Sequence, residues 1–225
     1  MVIEESISKA KEFLINQRCE NGLWKDFDIR NYGILVDWIT AYTGLALIKA
    51  NTPKTQLKQT ADELVRRQNV INFGWSCDER VVPDTDTTAF AIMFLSHFDF
   101  KKNIENAKKF IKNQQLSDGS FRTYQADLIA PYISDLTSEG WSGGIAEVTA
   151  TASQALKGDK TAIEYLKKSV REDGAWNNYW YTKEIYSTAH CILALKDDNS
   201  ANEIVEKAQN WLLVSSNLQC TKNGK

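Results

Sequence analysis

The chain repeats itself, and no other property constrains its fold as tightly. A pattern of Ala, then an aromatic or aliphatic pair, then Gln runs through Ala10, Phe13, Leu14 and Gln17. It returns as Ala61, Leu64, Val65 and Gln68, and as Ala107, Phe110, Ile111 and Gln114. Ala162, Tyr165, Leu166, Ser169 and Ala208, Trp211, Leu212, Ser215 are two further copies with Ser in the Gln place. The spacing i, i+3, i+4, i+7 marks one face of an amphipathic helix. A Gly and an aromatic follow each of the first four copies: Gly22-Leu23-Trp24, Gly74-Trp75, Gly119-Ser120-Phe121 and Gly174-Ala175-Trp176. Such a Gly suits a left-handed helix C-cap.

A second helical pattern comes next in each unit. Thr-Ala is followed by Leu at Thr40-Ala41 and Leu47, Thr88-Ala89 and Leu95, Thr149-Ala150 and Leu156, and Thr188-Ala189 and Leu195. An acid stands shortly before each Thr: Asp37, Asp84 with Asp86, Glu147 and Glu184. Acids there are expected to cap the helix and meet the positive end of its dipole. The unit is thus helix A, a Gly-aromatic loop and helix B, about 50 residues long. One all-α domain over 1–225 follows, with repeats at about 4–52, 55–100, 102–158, 159–198 and a partial one at 200–225. Tandem antiparallel helix pairs build a solenoid or an α/α barrel (toroid), with the apolar helices B inside. Only three Pro in 225 residues agree with helix throughout.

Composition removes several classes. Lys and Arg total 27 against 29 Asp and Glu, a net charge of −2, so nothing holds a nucleic-acid backbone. No stretch reaches the roughly 20 apolar residues of a transmembrane segment. Glu4 and Glu5 stand where a signal peptide carries basic residues, which points to a cytoplasmic protein. Cys19, Cys77, Cys191 and Cys220 form no CxxC, so reduced thiols are expected, with Cys191 a small buried hydrophobe. The stretch from Arg122 to Ala146, holding Pro131, Tyr132, Trp141 and Gly143-Gly144, makes one linker longer than the rest. It is either a lid or an insertion.

Lys9-Ala10, Phe13-Leu14, Gln17, Gly22 and Trp24 resemble the QW repeat of squalene–hopene and related class II terpene cyclases. In that family the Gln and Trp tie neighbouring helices together, so most aromatics here are implied to be scaffold. Pro83-Asp84-Thr85-Asp86-Thr87-Thr88-Ala89 is similar to the family's Asp-x-Asp-Asp-Thr-Ala motif, with Thr87 in place of the third Asp. The resemblance puts the general acid on Asp86, with Asp84 and Thr87 beside it. It implies proton-initiated cyclisation of an isoprenoid, with no cofactor. Protonating an alkene needs a carboxyl kept protonated, and burial beside a second carboxylate does that. Aromatic faces then hold the carbocation away from water. Trp38, Tyr42, Phe90, Phe94 and Trp141 are the candidates for that lining. The capping position shared by all four repeats accounts equally for one of the two Asp.

Family cyclases use two barrels and are much longer. A closed barrel takes about six helix pairs, and about four and a half are present here. The fifth pair lacks its helix B. Its apolar face is expected to be covered by a second barrel subunit, by a homo-oligomer partner, or by further residues. The rival class is a non-catalytic α/α repeat module that binds a prenyl chain, a peptide or a protein subunit. Protein prenyltransferase β-subunits share the fold but need a zinc site. The two His here, His97 and His190, do not supply one, and Ser187 stands where the family's ligand His would be. Glycosidases of this fold need paired carboxylates and an aromatic groove, which Asp84, Asp86, Glu147 and Glu184 would permit. No Asp-Asp-x-x-Asp stretch indicates ionisation of a diphosphate.

Overall fold

A computed structural model describes residues 2–26, 28–29, 33–78, 80–132 and 139–222. The side chains of residues 216–222, Cys220 among them, and the closing Asn223-Gly224-Lys225 lie outside what is described. Among the described residues the regular secondary structure is helical apart from one hairpin of two-residue strands. Its elements are α1 (Val2–Asn16), β1 (Asp28–Ile29), β2 (Gly33–Ile34), α2 (Asp37–Lys49), α3 (Lys58–Arg66), α4 (Thr85–Leu95) and α5 (Lys101–Lys112). They continue with α6 (Ala126–Ile129), α7 (Glu139–Ser142), α8 (Ala146–Ala155), α9 (Lys160–Ser169), α10 (Ile185–Leu195) and α11 (Asn202–Lys222). Two compact units divide the chain, Met1–Asn113 and Gln114–Lys225. The division falls after α5, inside the third helix pair.

In the first unit α2 and α4 pack side by side, and α4 also packs on α5. Gly44 permits the close approach: a Cβ there would lie 2.6 Å from the ring of Phe94. Nearly every residue of α4 is buried, as expected of an apolar helix with neighbours on all sides. Helices α3 and α5 bury a single stripe, Ala61 and Leu64 in one, Ile104, Ala107, Phe110 and Ile111 in the other. In the second unit α8 packs on α10 and α9. Cys191 is buried there beside Ala146, Leu166 and Trp176, as a small hydrophobe should be. The first copy of the repeat differs from the others. On α1 both Ala10 and Phe13 are exposed, although their counterparts Ala61, Leu64, Ala107 and Phe110 are core.

Two hydrogen bonds explain the repeat. The indole N–H of Trp24, Trp75 and Trp176 donates to the carbonyl of Leu14, Leu64 and Leu166 in its own helix A, at 2.7, 2.7 and 2.8 Å. The backbone N–H of the same residues donates to the hydroxyl of Thr40, Thr88 and Thr188 in helix B. Phe121 keeps the second bond, to Thr149, and has no N–H for the first. Each of the three Trp therefore clamps the two helices of its pair, at about 1 kcal/mol per bond.

The glycines have a different duty from the C-cap expected. Cys19 accepts from Gly22 N–H at 2.8 Å and donates to Leu23 C=O at 2.9 Å, which closes a tight turn beyond the helix end. Leu116 with Gly119 and Arg171 with Gly174 repeat it, and all three Gly have positive φ. In the second repeat Asn69 bonds in the same way to Phe73 and Gly74, so Phe73, at φ 64°, takes the left-handed place. Gly74 is the counterpart of Leu23, and this turn is one residue longer. An Asn or Asp precedes the left-handed residue every time and accepts from the N–H two residues on: Asn21, Asn72, Asp118 and Asp173.

The acids before helix B are also corrected. Only Asp84 caps with its side chain. Asp37 pairs with Arg67. Glu184 holds the N-cap position without a cap bond and pairs with Arg171 at 3.0 Å. Asp86 and Glu147 lie in first turns, where the dipole favours them, but their carboxylates bond to other elements.

Candidate functional site

The site in the first unit forms where α2 and α4 begin. Asp84 is extended (φ −121°, ψ 161°), and its own N–H donates to Trp75 C=O. One carboxylate oxygen accepts from Thr87 N–H at 2.7 Å, the other from Cys77 N–H at 3.1 Å. The group is 3% exposed. Burial pushes its pKa up to about 7; the charge of Asp86 adds to the rise, and the two amides oppose it. The fully buried hydroxyl of Thr87 faces Asp84 and helps restrain its pKa, but falls outside hydrogen-bond geometry. Thr88 is committed to Trp75.

Two residues on, Asp86 turns away from the cap. Its Oδ2 accepts the indole N–H of Trp38 at 2.7 Å. Trp38 stacks on Tyr42 with ring centroids 5.0 Å apart and planes 8° from parallel. Phe90 closes edge-on against both, at 5.7 and 5.0 Å. Tyr42 is 37% exposed, so the patch is open on one side. Burial and then the charge of Asp86 raise the Tyr42 phenol above its usual pKa. A half-buried carboxyl thus sits against three aromatic rings, next to a second carboxyl that burial holds near neutrality.

Of the residues expected at a site, Asp84, Asp86, Thr87, Trp38, Tyr42 and Phe90 come together. Phe94 lies one turn beyond Phe90, fully buried against Gly44 and 5.3 Å from the Phe98 ring. Trp141 belongs to the second unit. It stacks on Tyr124 at 5.7 Å and meets Trp180 edge-on at 4.8 Å. The long linker around it is pinned by Tyr124 N–H to Trp141 C=O at 3.0 Å and by pairing of Arg122 with Gly144.

A further carboxyl lies in the second unit, at a residue expected from the sequence to be a helix cap or one of a set of carboxylates. Glu147 is buried, and its Oε1 accepts from the N–H groups of Tyr179 and Trp180 at 2.6 and 3.1 Å. Its Oε2 is buried without a hydrogen-bond partner, and burial raises its pKa. The indole of Trp180 donates to Thr123. A signal was available: Glu147 stands two residues before Thr149, as Asp86 does before Thr88. Among the described residues no group of three His, Cys, Asp or Glu converges as metal ligands, and no helix is long and apolar enough to cross a membrane.

Residues 43–221 match the family model of the squalene-hopene cyclase C-terminal domain, and the chain belongs to that family. It is 21% identical over 215 residues to a squalene–hopene cyclase of Bradyrhizobium diazoefficiens, an alignment covering 78% of this chain and 33% of that protein. Against the squalene–hopene cyclase of Alicyclobacillus acidocaldarius it is 26% identical over 162 residues, 63% of this chain and 26% of that one. The chain spans about a third or less of the length of these relatives. In fold it is similar to the type II terpene cyclase MstE from Scytonema, solved with merosterolic acid A as product. The TM-score is 0.86 at 23% identity, over 92% of this chain and 63% of that one. Another structure of that enzyme, with geranylgeranyl dihydroxybenzoate as substrate, gives 0.85. The tandem helix pairs thus have the all-α fold of α/α-barrel terpene cyclases.

Proposed function

We propose that this chain is a class II terpene cyclase-like domain in which Asp86 is the general acid for proton-initiated cyclisation of an isoprenoid. The observation that carries the reading is the division of labour between the two Asp. Asp84 alone caps α4, while Asp86 is turned onto Trp38 among three rings. Asp86 would transfer its proton to the CH carbon of the terminal trisubstituted alkene; the π electrons form the new C–H bond and leave a tertiary carbocation on the dimethyl carbon. Trp38, Tyr42 and Phe90 offer π faces to that cation. Loss of a proton from the final cation balances the step. The substrates named for the relatives, squalene and a geranylgeranyl arene, both carry such an alkene. Because the ring patch is open at Tyr42, a further domain or subunit is needed to exclude water.

The test is incubation with squalene, farnesyl and geranylgeranyl diphosphates and geranylgeranyl dihydroxybenzoate, comparing wild type with Asp86→Asn by mass spectrometry. Cyclic product that falls about 10²- to 10⁴-fold in the variant is the expected result. Absence of product from every substrate, alone or with the products of neighbouring genes, overturns the reading and leaves a binding module.

A further inference from the structure

Glu147 holds in the third repeat the position that Asp86 holds in the second, yet its carboxyl serves a different segment. The loop over 177–184, between Trp176 and α10, lies on it. The N–H groups of Tyr179 and Trp180 both donate to Oε1, at 2.6 and 3.1 Å, and the Trp180 indole donates to Thr123 at 3.1 Å. Trp180 also meets Trp141 edge-on at 4.8 Å. Tyr179 packs on Gly140 so closely that a Cβ there would lie 1.9 Å from its ring. The loop therefore covers Glu147 and one side of Trp141, while its own rings, Tyr179, Trp180 and Tyr181, stay 37–43% exposed.

This attachment is poorly suited to a charge. Glu147 is 1% exposed, and Oε2 is buried with no hydrogen-bond partner among the described residues. A carboxylate so placed exchanges its hydration for two amide bonds, which favours the neutral carboxyl. Lifting the loop off Oε1 returns the group to water and to the ordinary carboxylate range. Tyr165 of α9 and Cys191 of α10 act electrostatically with Glu147, and burial keeps both neutral to alkaline pH. No charged side chain among the described residues moves the carboxyl. On the loop, Glu184 pairs with Arg171 and Lys183 is exposed. Further along α10, His190 lies against Tyr186 and Gln154.

We propose that the loop over 177–184 is a proton-controlled gate, latched by Glu147, over this carboxyl and the ring of Trp141. Closing takes up a proton, and opening releases it as pH rises. Opening bares an acid beside an indole, the same two groups that Asp86 and Trp38 bring together in the first unit. The gate is independent of the acid assigned to Asp86.

Amide hydrogen exchange of the whole chain by NMR, from about pH 5 to 7.5 and divided by the intrinsic rate at each pH, tests this. The Tyr179 and Trp180 amides are expected to be less protected than the Cys191 amide within α10. Their protection should fall by up to about tenfold per pH unit. Glu147→Gln keeps an acceptor for both amides and has no proton to release, so this fall should flatten to less than about twofold per unit. Trp180→Phe, which removes the bond to Thr123, should lower the protection of both amides and retain the pH slope. Exchange of the two amides at the Cys191 rate overturns the proposal, because the loop then opens only with its unit. Wild-type protection that ignores pH overturns it too, as does a slope that survives in Glu147→Gln or a Trp180→Phe protein with wild-type protection.

Discussion

Trp38 and Asp86 occupy the same position of successive repeats, two residues before the clamping threonine, and the 2.7 Å bond between them joins α2 to α4. Equivalent positions on two helices packed side by side face each other. The pairing of an acid with an indole is therefore set by repeat register. Trp38→Phe keeps a ring but removes the N–H. With substrate turnover established, kcat is expected to fall about tenfold or more with KM nearly unchanged. A KM effect alone would make Trp38 only a binding surface.

Asp84 makes stability depend on pH. Its pKa rises from 3.8 to about 7 on folding, so between these values the folded state holds more protons than the unfolded state. Its contribution is fully present below pH 3.8 and is lost as pH rises through about 7. The loss is at most about 4 kcal/mol. Asp84→Asn has no proton to release. Urea melts of both proteins from about pH 4 to 7.5 should show the variant gaining on wild type as pH rises. A constant difference would place the folded pKa of Asp84 near its unfolded value.

Phe73 and Gly119 should respond in opposite directions. Replacing left-handed Phe73 with Gly relieves backbone strain, and a stabilisation of about 1 kcal/mol is expected. Gly119→Ala puts a Cβ 2.4 Å from the carbonyl oxygen of Thr161 at φ 91°, and costs about 2 kcal/mol or more. Thermal and urea denaturation read both. A destabilised Phe73→Gly would mean that the Phe73 ring contributes more packing than its backbone loses.

Thr88→Val removes the acceptor of the Trp75 N–H inside the first unit. Leaving that buried donor unsatisfied costs about 1–3 kcal/mol. Thr88→Ser should retain most of the stability. Equal losses in the two variants would assign the effect to the methyl group of Thr88 and not to its hydroxyl.

The helix pairs were legible because they follow from periodicity; Asp86 was picked out by the motif it resembles, and the three rings near it by their places on helices B. The separate duties of Asp84 and Asp86 were not, since they depend on Cys77 and Trp38, which are not their helical neighbours. The left-handed role of Phe73 was hidden by Gly74 directly before Trp75, although Asn72, matching Asn21, Asp118 and Asp173, marked the true register. Asp37 looked like a cap because nothing local betrays its partner Arg67. Glu147 looked like one too, since its amide donors at residues 179 and 180 lie more than 30 residues away.

The threonine clamp also bears on how the chain folds. The bond spans 16 residues in the first repeat, 13 in the second, 28 in the third and 12 in the fourth. Such contacts are local, so helix pairs can form early and independently. Closing the third loop costs about 0.7 kcal/mol more entropy than closing the second. Its aromatic is Phe121, which makes one clamp bond where Trp75 makes two. The third repeat is therefore the slow joint of the folding chain, and substitutions around Thr149 should register in the folding rate more than those around Thr88.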